Sequence, residues 1–448
     1  MNHSSNSFDI YPKIYERRSS IKLGNAKSFF HLIKDLVVKF SQSSINILQI
    51  NSVCGIGSTG RIATDLHEIV LSQGYASTVA FGRDRVKNCS QSIRIGGAID
   101  NYLHVAHTRL FDSHGFASKH STKEFINKIR VLNPDVIHLH NLHGYYLHIG
   151  VLFEYLKHTG KPVIWTLHDC WAFTGHCTYF DIIDCNRWKN QCYSCQLKSE
   201  YPKSLLLDRS KWNFKQKKKL FTGLKHLTIV TPSQWLQKLV KESFLKEYPV
   251  KVIHNGVDLD VFNPTQSDFR NRYRLDNQYV LLGVASIWEE RKGYQYFVDL
   301  AKQLSPDEKI VLVGISEKNL KHLPAGVIGI TRTNSIKALA EIYSAADLFI
   351  NPTLEDNFPT TNLESLACGT PVVTFNSGGS PECLDDGSGL VVKRGNLIEL
   401  MDAITTVRKN GKAFYSDQCR NRAIEYFDKN ARFAEYLTLY ERYLRVDH

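Results

Sequence analysis

The sequence predicts an α/β protein with two doubly wound parallel sheets. Its 448 residues suffice for two domains of ordinary size, each with its own core. In the first half, the apolar run 45–50 leads into a glycine-rich loop and then a helical pattern that ends near Ser72. In the second half, residues 351–374 show a strand end, an acidic loop, a short helix and a second strand. Because strand, loop and helix occur in both halves, we expect two Rossmann-like domains.

The composition is that of a folded protein with a positive charge. Hydrophobic residues make up 43% and aromatic residues 11% of the chain, and the formal net charge is +12. This charge suits anionic partners such as nucleotide diphosphates or an acidic membrane surface, although charge alone does not choose among them. No window of the sequence reaches the roughly 18 to 20 uninterrupted apolar residues that a spanning helix needs. The N-terminus also lacks a secretory pattern, so we expect a cytoplasmic protein, either soluble or peripheral on the membrane. We expect no nucleic-acid partner.

The first domain is expected at 45–250, after an N-terminal tail and helix at 1–44. In that N-terminal segment, apolar residues recur at helical spacing over 26–41. Parallel strands joined by helices bring their carboxyl ends to one edge of a sheet, where ligands bind. The apolar runs that predict strands of the first domain are 45–50, 77–81, 135–140, 162–167 and 226–231.

The loop after the first strand has two interpretations. Gly55, Gly57 and Gly60 match Gly-x-Gly-x-x-Gly between a strand and a helix, the pattern of a nicotinamide-binding fold. That fold would use an acid at the end of the next strand, and Asp84 is a late candidate. A single glycine fingerprint is weak evidence, so a nicotinamide-dependent oxidoreductase stays open as an alternative.

A cysteine-rich insertion is expected at 170–200. Cys192 and Cys195 have the two-residue separation at which both thiolates can bind one tetrahedral ion, and Cys177 and Cys185 would complete a closed four-sulfur zinc site. A reducing cytoplasm favours such a site over two disulfides. The alternative is four unligated thiols, because the first two spacings are looser than in a usual zinc knuckle; Cys170 and His176 are substitute ligands.

The segment 209–225 combines lysines with aromatic residues. Trp212, Phe214 and Phe221 lie among six lysines. A basic, aromatic helix of this kind can lie on anionic lipid, and a solvated helix face is the alternative.

The second domain is expected at 251–429, and a crossover helix at 430–448 returns to the first domain. The helix in 351–374 follows an acidic loop, so the free N–H groups of its first turn point into a crevice and can bind a diphosphate. Candidate donors are the N–H groups of Thr360, Thr361 and Asn362. The hydroxyls of the two threonines can add hydrogen bonds to the same diphosphate.

Two acids and two bases complete this candidate donor site. Asp356 and Glu364 are eight positions apart, one in the loop and one on the helix, so both can accept hydrogen bonds from sugar or ribose hydroxyls. Arg291 and Lys292 lie in a strand-to-helix loop and can neutralise two phosphates. A loop acid and a solvated helix acid are the alternative, because short motifs have a high false-positive rate.

The acidic stretch resembles the paired-acid motif of retaining glycosyltransferases of family 4, which have the two-domain GT-B fold. The motif normally has glutamate at both ends, whereas here Asp356 occupies the first position and Glu355 precedes it. The resemblance covers about residues 45–445. It implies two Rossmann-like domains that face a cleft, with the donor bound by the second domain and the glycine-rich loop, including Gly57, approaching the donor diphosphate across the cleft.

The resemblance also suggests roles for three histidines. The segment Trp165-Thr-Leu-His-Asp169 is similar to the family segment whose histidine lines the cleft beside the donor sugar, which makes His168 a candidate catalytic residue. His140 and His143 also fall at or just past a strand end and are weaker candidates for the acceptor side. The run from His168 to Cys177 is similar to a subset of family 4 enzymes that act on surface polysaccharides of the colanic acid, capsule or O-antigen type.

The resemblance implies a metal-independent hexosyltransferase. It would move a sugar from a nucleotide diphosphate donor, expected to be UDP-linked, to a saccharide acceptor with retention, and such acceptors are commonly lipid-linked. Asp258-Leu-Asp260 superficially matches a metal motif of another glycosyltransferase fold, but it lies in a segment that resembles the interdomain hinge, so no catalytic metal is expected. A non-catalytic saccharide-binding protein of the same fold is the second alternative. Lys292, Arg291 and the helix N–H groups would bind the diphosphate. His168 and Asp356 or Glu355 would orient the sugar, and Glu364 would hold the ribose.

Overall fold

A computed structural model describes residues 45–445 of the chain, and it contains two parallel β-sheets. The helix predicted at 26–41 lies outside the described residues, as does the rest of the N-terminal segment. The two sheets confirm the predicted fold class, an α/β protein with two Rossmann-like domains.

The first sheet contains seven strands, all parallel. They are β1 Asn46–Asn51, β2 Ala76–Phe81, β3 Ser92–Arg94, β4 Val136–Leu139, β5 Val163–Thr166, β6 Leu227–Thr231 and β7 Val250–Val252. Their order across the sheet is β3-β2-β1-β4-β5-β6-β7, so the direction of winding changes between β1 and β4. Ligands of doubly wound sheets bind outside the carboxyl ends of the strands at such a switch point. β7 extends across the domain boundary expected at residue 250.

Helices connect the strands of the first sheet. The helices are α1 Gly57–Ser72, α2 Ala98–Phe111, α3 Lys119–Leu132, α4 Ile149–Thr159, α5 Ser210–Phe221 and α6 Gln234–Glu242. The insertion after β5 instead contains short 3₁₀ turns, at Trp171–Phe173, Asp181–Ile183 and Arg187–Lys189. Successive residues of β1 point to opposite faces of the sheet, so Ile47 packs with α1 while Leu48 packs with the core around α3 and α4. Both faces are therefore buried, as parallel sheets require.

The second sheet contains six strands, again all parallel. They are β8 Tyr279–Val284, β9 Glu308–Val313, β10 Val327–Ile330, β11 Leu348–Asn351, β12 Val372–Phe375 and β13 Gly389–Val392, in the order β10-β9-β8-β11-β12-β13. The helices of this half are α7 Phe269–Arg272, α8 Tyr294–Ala301, α9 Glu317–Leu320, α10 Ile336–Ala345, α11 Thr360–Ala367, α12 Leu397–Asn410, α13 Lys412–Phe427 and α14 Lys429–Arg445. The switch between β8 and β11 directs α11 towards the first sheet.

The last helix, α14, returns to the first domain as predicted. Tyr440 and Tyr436 pack in the same apolar cluster as β1 and α1. The Tyr440 hydroxyl lies 2.7 Å from Nδ1 of the buried His138. The Tyr436 hydroxyl lies 3.2 Å from Oγ1 of Thr166. His138 is therefore a hydrogen-bonded structural residue that anchors this helix.

Glu382 also joins the two domains. Its carboxylate accepts hydrogen bonds from the backbone N–H groups of Gln234 and Trp235, at 2.8 and 2.7 Å. These groups begin α6, so an acid of the second domain caps a helix of the first and interacts favourably with its dipole.

The basic segment 209–225 contains α5, and two of its three aromatic residues pack inward while Trp212 is exposed. Phe214 and Phe221 are buried in the first domain. Lys217 is buried as well, and its ammonium group donates to the backbone oxygens of Trp171 and Thr174 at 2.8 and 3.1 Å. Within residues 45–445, no helix is long and apolar enough to cross a membrane.

Candidate active site

A cleft of about 730 Å³ lies at the carboxyl ends of both sheets and is lined by both domains. The predicted residues that line it are Gly57, His143, His168, Arg291, Lys292, Asp356, Thr360, Thr361 and Glu364. His140, Glu355 and Asn362 do not line it. Gly314, Thr331 and Arg332, which follow the carboxyl ends of β9 and β10, also border the cleft.

The glycines of the first loop serve different purposes. Gly55 has φ +71°, and a Cβ there would lie 1.8 Å from the backbone oxygen of Lys87, so this glycine permits a close approach within the protein. Gly57 has φ +66°, lines the cleft and has open space where a Cβ would be. Gly57 is thus the member of the fingerprint that leaves backbone accessible to a ligand.

His168 lines the cleft, and a hydrogen bond to the buried His140 fixes its orientation. The Gln49 amide donates to the backbone oxygen of Ala63 at 3.1 Å, which leaves Oε1 of Gln49 to accept from Nε2 of His140, also at 3.1 Å. Nδ1 of His140 then accepts from Nε2 of His168 at 3.2 Å. Burial lowers the pKa of His168 to about 4, so the imidazole is neutral near pH 7 and Nδ1 is an acceptor. His140, a candidate for the acceptor side, instead orients His168.

His143 belongs to a second hydrogen-bonded chain in the first domain. Its Nε2 lies 2.7 Å from Oδ2 of Asp169, and its Nδ1 lies 3.1 Å from the hydroxyl of Tyr201. Asp169 Oδ1 also accepts from the backbone N–H of Trp171 at 2.9 Å. Burial opposes ionisation of Asp169, but the charge and hydrogen bond of His143 hold its pKa below the ordinary value. The carboxylate therefore fixes the imidazole with Nδ1 directed at the Tyr201 hydroxyl, and all three side chains line the cleft.

The start of α11 faces the cleft from the second domain. Thr360 and Thr361 line it, and no residue before them caps the helix with a side chain. Asn362 is directed inward instead: its amide donates to Ser380 Oγ at 2.9 Å, and its Oδ1 accepts from Asn351 at 2.8 Å. The N–H of Asn362 also donates to the backbone oxygen of Pro359 at 3.1 Å. The free donors at this helix end are therefore those of the two threonines.

The structure separates the two neighbouring acids. Asp356 lines the cleft and forms an ion pair with Lys292. Glu355 points away from it, and its Oε1 accepts from the backbone N–H of Ile182 in the insertion at 2.9 Å. Burial raises the pKa of Glu355 to about 7. Asp356 is thus the acid of this pair that a ligand in the cleft can reach.

Glu364 is a buried carboxylate at the back of the cleft. Its Oε2 accepts from the hydroxyl of Tyr343 at 3.0 Å, and Oε1 lies 3.8 Å from the guanidinium of Arg61. Burial raises the pKa of Glu364 above its ordinary value, although Arg61 and the Tyr343 hydrogen bond oppose the effect. Arg61 belongs to α1, so it places a positive charge of the first domain opposite the second.

Arg291 lies beside Lys292 in the cleft. Its Nε donates to Glu289 at 3.0 Å, and its guanidinium carbon lies 5.6 Å from the ring centre of Tyr179. The arginine is therefore held by the insertion and by its own loop, with its charge still facing the cleft.

Sequence reasoning missed several cleft residues. Arg61, Asp169 and Tyr201 line the cleft together with residues proposed from the sequence. Arg61 follows Gly60 directly, and Asp169 follows His168, so adjacency to a chosen residue is a signal that could have identified both. Tyr201 lies in an irregular segment, and its position depends on the packing of the insertion.

Four of the five cysteines of the insertion, Cys177, Cys185, Cys192 and Cys195, line a second cavity of about 300 Å³. The thiols of Cys177 and Cys195 are in hydrogen-bonding contact, which lowers the pKa of Cys195 to about 7. Cys192 Sγ accepts from the backbone N–H of Gly175 at 3.2 Å. Among residues 45–445, no group of three or more His, Cys, Asp and Glu side chains is arranged to hold a metal ion.

His176 also lines this cavity. Its Nδ1 lies 2.5 Å from Oδ1 of the fully buried Asp112. Its Nε2 is buried without a hydrogen-bond partner among the described residues. A histidine with one nitrogen on a carboxylate and the other unpaired has the form of a metal ligand with its orienting acid.

Two family models match the chain. The model described as Glycosyltransferase Family 4 matches residues 61–261, and the model described as Glycosyl transferases group 1 matches residues 278–410. The two matches together include most of both sheets and the residues on both sides of the cleft.

Individual proteins show the same similarity. WcaC of Escherichia coli K12, named a colanic acid biosynthesis glycosyl transferase, is 25% identical over 388 residues, which are 80% of this chain and 89% of that protein. A UDP-Gal:alpha-D-GlcNAc-diphosphoundecaprenol alpha-1,3-galactosyltransferase of Escherichia coli is 27% identical over 45% of this chain and 56% of that protein. The solved structure of sucrose-phosphate synthase from Thermosynechococcus elongatus has a TM-score of 0.69 at 17% identity, covering 90% of this chain and 100% of that one, and shows a shared fold.

Two parallel-sheet domains that face a cleft, with a last helix crossing back, form the GT-B fold, and both matching family models describe glycosyltransferases. The chain contains a family 4 glycosyltransferase domain at 61–261 and a glycosyl transferases group 1 domain at 278–410.

Proposed function

We propose that the protein transfers a hexose, with retention, from a UDP-sugar to a lipid-linked saccharide in the synthesis of a cell-surface polysaccharide. The observation that carries this proposal is that Lys292 and the start of α11, with Thr360 and Thr361, line the same cleft as His168 of the first domain. The names of the two Escherichia coli relatives support the donor, the acceptor class and the pathway type.

The donor diphosphate would lie between Lys292 and the first turn of α11. The lysine supplies a positive charge, and the N–H groups and hydroxyls of Thr360 and Thr361 supply donors at the positive end of the helix dipole. Arg291 adds a second cation. As the bond between sugar and phosphate breaks, negative charge grows on the phosphate, so these fixed donors stabilise the transition state more than the ground state.

The sugar and the ribose would contact the remaining donor-side groups. Asp356 can accept from sugar hydroxyls while it shares Lys292 with the phosphate. His168 is neutral, so its free nitrogen can accept a hydrogen bond from the sugar without adding charge. Glu364 would hold the ribose, with Arg61 opposite it. Attack by the acceptor on the face from which the diphosphate leaves would retain configuration.

The acceptor would approach along the chain Asp169, His143 and Tyr201. Each hydroxyl or ring nitrogen in this chain has a defined hydrogen-bond partner, so the Tyr201 hydroxyl oxygen can accept from an acceptor hydroxyl and orient it. These groups position the acceptor, since Nδ1 of His143 is already engaged by Tyr201.

The same proposal includes no catalytic metal and a structural zinc ion in the insertion. Cys177, Cys185, Cys192 and Cys195 line one cavity, and the unpaired Nε2 of His176 lies at the same cavity as a substitute ligand. Zinc bound there would stabilise the insertion, which contacts Glu355 and Arg394 of the second domain.

A donor panel tests the function directly. Released nucleotide is measured from UDP-hexoses and GDP-hexoses, with and without a diphospho-undecaprenol-linked sugar, and NAD is included as a binding competitor. We expect acceptor-dependent release of UDP and no stabilisation of the protein by NAD. Release only of GDP would refute the donor assignment, and a protein stabilised by NAD without releasing nucleotide would indicate an oxidoreductase.

A further inference from the structure

Helix α2, Ala98–Phe111, has its apolar side outward. Ile99, Tyr102 and Leu103 are 76%, 75% and 65% exposed, and Leu110 and Phe111 are exposed as well. These positions follow helical spacing and therefore lie along one stripe of the helix. The buried positions are the polar residues His104 and Thr108. The pattern is the reverse of an ordinary surface helix, whose apolar stripe faces the core.

Polar contacts hold α2 in this orientation. Nδ1 of His104 lies 2.9 Å from the hydroxyl of Ser118, and its Nε2 accepts from the backbone N–H of Gly115 at 3.2 Å. Burial lowers the pKa of His104 to about 3, which keeps the ring neutral and able to accept. At the helix N-terminus, Asp100 accepts from the N–H of Gly97 and the hydroxyl of Ser121, both at 2.7 Å. The outward direction of the apolar stripe is therefore built into the fold.

A second apolar element extends the stripe. Leu205, Leu206 and Leu207 are consecutive and all exposed. The backbone N–H of Leu205 donates to the backbone oxygen of Arg109 at 2.7 Å, which joins this turn to the end of α2. We call the exposed side chains of α2 together with these leucines the apolar face. An exposed apolar surface of this kind marks an interaction site in a folded protein.

Exposed cations lie on and next to the segments of the apolar face. Arg109 and Lys203 are exposed on these segments, and Lys211 is exposed at the start of α5. The Arg209 guanidinium lies 4.0 Å above the ring of Trp212, which is itself partly exposed. Three of the acids of this region are hydrogen-bonded within the protein, Asp100 to Gly97 and Ser121, Asp112 to His176, and Asp208 to Ser210, whereas Glu200 is exposed. An apolar centre with a cationic border is complementary to an anionic bilayer.

The apolar face adjoins the acceptor side of the cleft. The amide of Asn101 on α2 donates to the backbone oxygen of Tyr145 at 2.9 Å. The rings of Tyr145 and Tyr201 are 5.9 Å apart, and Tyr201 lines the cleft with His143. The segment from Tyr201 to Leu207 thus runs from the cleft to the apolar face.

We propose that the apolar face docks on the surface of an anionic phospholipid bilayer, with the α2 stripe and the three leucines among the acyl chains and the cations at the headgroups. This places the mouth of the cleft at the height where the sugar of a membrane-embedded acceptor lies. The proposal extends the function proposed above, because it specifies how a lipid-linked acceptor reaches His143 and Tyr201. The helix that binds lipid is then α2, whereas α5 is occupied by the core.

Vesicle cosedimentation of the full chain tests this surface. The probes are vesicles of phosphatidylcholine alone and of phosphatidylcholine with phosphatidylglycerol. The double variant L103E/L206E is compared with V131E/I398E, which makes the same charge change at two residues that are exposed elsewhere, by 88% and 73%. We expect the first variant to partition on anionic vesicles at least about tenfold more weakly, and the control to stay within about twofold of wild type.

A second readout separates this proposal from the proposed function. Release of nucleotide to a water-soluble saccharide acceptor is measured for the same proteins, and L103E/L206E should retain it while losing transfer to acceptor embedded in vesicles. If both double variants bind vesicles equally, the proposal that the apolar face docks on the bilayer is wrong. Residues 1–44 or another surface would then bind the membrane. Unchanged vesicle binding with a change from dimer to monomer in L103E/L206E would assign the face to a second copy instead. Vesicle binding that depends on the face, in a protein inactive with every donor, would support the surface and refute the transferase assignment.

Discussion

The two sides of the cleft present different kinds of groups. On the donor side, Lys292, Asp356, Thr360 and Thr361 belong to two loops at the carboxyl end of one sheet, and they present charge and helix N–H groups. On the proposed acceptor side is the hydrogen-bonded chain Asp169, His143 and Tyr201, which the first domain and its insertion bring together. A diphosphate is the same in every nucleotide donor, so a short local arrangement can bind it. Saccharide acceptors differ, and a surface assembled from separate segments can be changed without disturbing the donor site.

Lys292→Ala tests the donor side, and we expect it to have the largest effect on catalysis. Its ammonium group is the cation paired with Asp356 in the cleft, so its loss removes charge stabilisation of the leaving diphosphate. We expect kcat/KM to fall by about 100-fold or more, with weaker binding of UDP. Initial rates and UDP titration measure both quantities, and Lys321→Ala, at an exposed site outside the cleft, is the control. A variant with normal turnover and affinity would show that the donor site lies elsewhere.

The donor side could be predicted from the sequence because its residues are close together in the chain. The stretch 351–374 contains the loop acid, the helix start and the following strand, and strand-helix patterns place their ends at one edge of a sheet. The fold followed from the same periodicity. The sequence pattern does not choose between Asp356 and Glu355, because only packing decides in which directions adjacent loop residues point. Here the backbone N–H of Ile182 in the insertion donates to Glu355.

The acceptor side could be predicted only in part, because its partners are distant in the chain. His143 and Tyr201 are separated by 58 residues, and nothing local to either indicates the other. Whether 209–225 meets lipid or solvent could not be decided from the sequence for a related reason. A count of lysines and aromatics does not show which side of α5 packs inward, and Lys217 is held by backbone oxygens.

Loss of structural zinc is the second test, and it concerns the insertion between the two sides. If zinc is bound, Cys192→Ser and Cys195→Ser should each release metal and lower the melting temperature by about 5 °C or more, since bound metal contributes to folding energy. Metal analysis of purified protein and thermal melts measure this. Cys383→Ser, a buried cysteine in the second domain, controls for loss of a packed thiol. Purified protein without stoichiometric zinc would contradict the site.

His176→Gln sharpens the same test. The unpaired Nε2 of His176 would be lost as a ligand, whereas the Asp112 contact can be kept by the amide. Zinc retained at full stoichiometry in this variant, but lost in each cysteine variant, would assign four thiols as the complete ligand set.

The third test addresses the acceptor side. Tyr201→Phe and His143→Gln should raise the KM for acceptor by about tenfold while the KM for donor and the slow hydrolysis of donor stay near wild type. The reason is that Asp169, His143 and Tyr201 form one hydrogen-bonded chain, which the proposed function assigns to the acceptor. Tyr193→Phe, at an exposed tyrosine of the insertion, is the matched control. Equal effects on donor and acceptor would remove the distinction between the two sides.

The fourth test uses the raised pKa of Glu355, about 7. Because the folded pKa lies above the unfolded one, the folded state favours the protonated acid. This stabilisation is complete below the unfolded pKa and is lost as pH rises through about 7. As the pH rises from about 5 to about 8, we expect the melting temperature of Glu355→Gln to rise by a few degrees relative to that of wild type. If the difference in melting temperature between Glu355→Gln and wild type does not change with pH, Glu355 is solvated despite its contact with Ile182.

The smallest expected effect is that of a chelator on catalysis. Lys292 and the start of α11 supply the positive charge that a metal would otherwise bring to the diphosphate. Asp258 is engaged elsewhere: Oδ2 lies 2.7 Å from the ammonium group of Lys429, and Oδ1 accepts from the N–H groups of Asp260 and Val261 at 3.1 and 3.2 Å. Neither Asp258 nor Asp260 lines the cleft. Transfer should therefore persist in EDTA, and Asp260→Asn should behave as wild type with or without added manganese.

This last prediction separates charge supplied by the protein from charge supplied by an ion, and the insertion makes its control essential. EDTA that removed a structural zinc ion would unfold part of the insertion and mimic a catalytic requirement, so a melt of the treated protein accompanies each assay. Folded protein that loses transfer in EDTA and regains it with manganese would indicate a metal at the diphosphate. If Asp258→Asn or Asp260→Asn then abolished that rescue, the metal would be bound by the hinge. Lys292 and α11 would in that case share the diphosphate with an ion, and the donor side would depend on a distant segment as the acceptor side does.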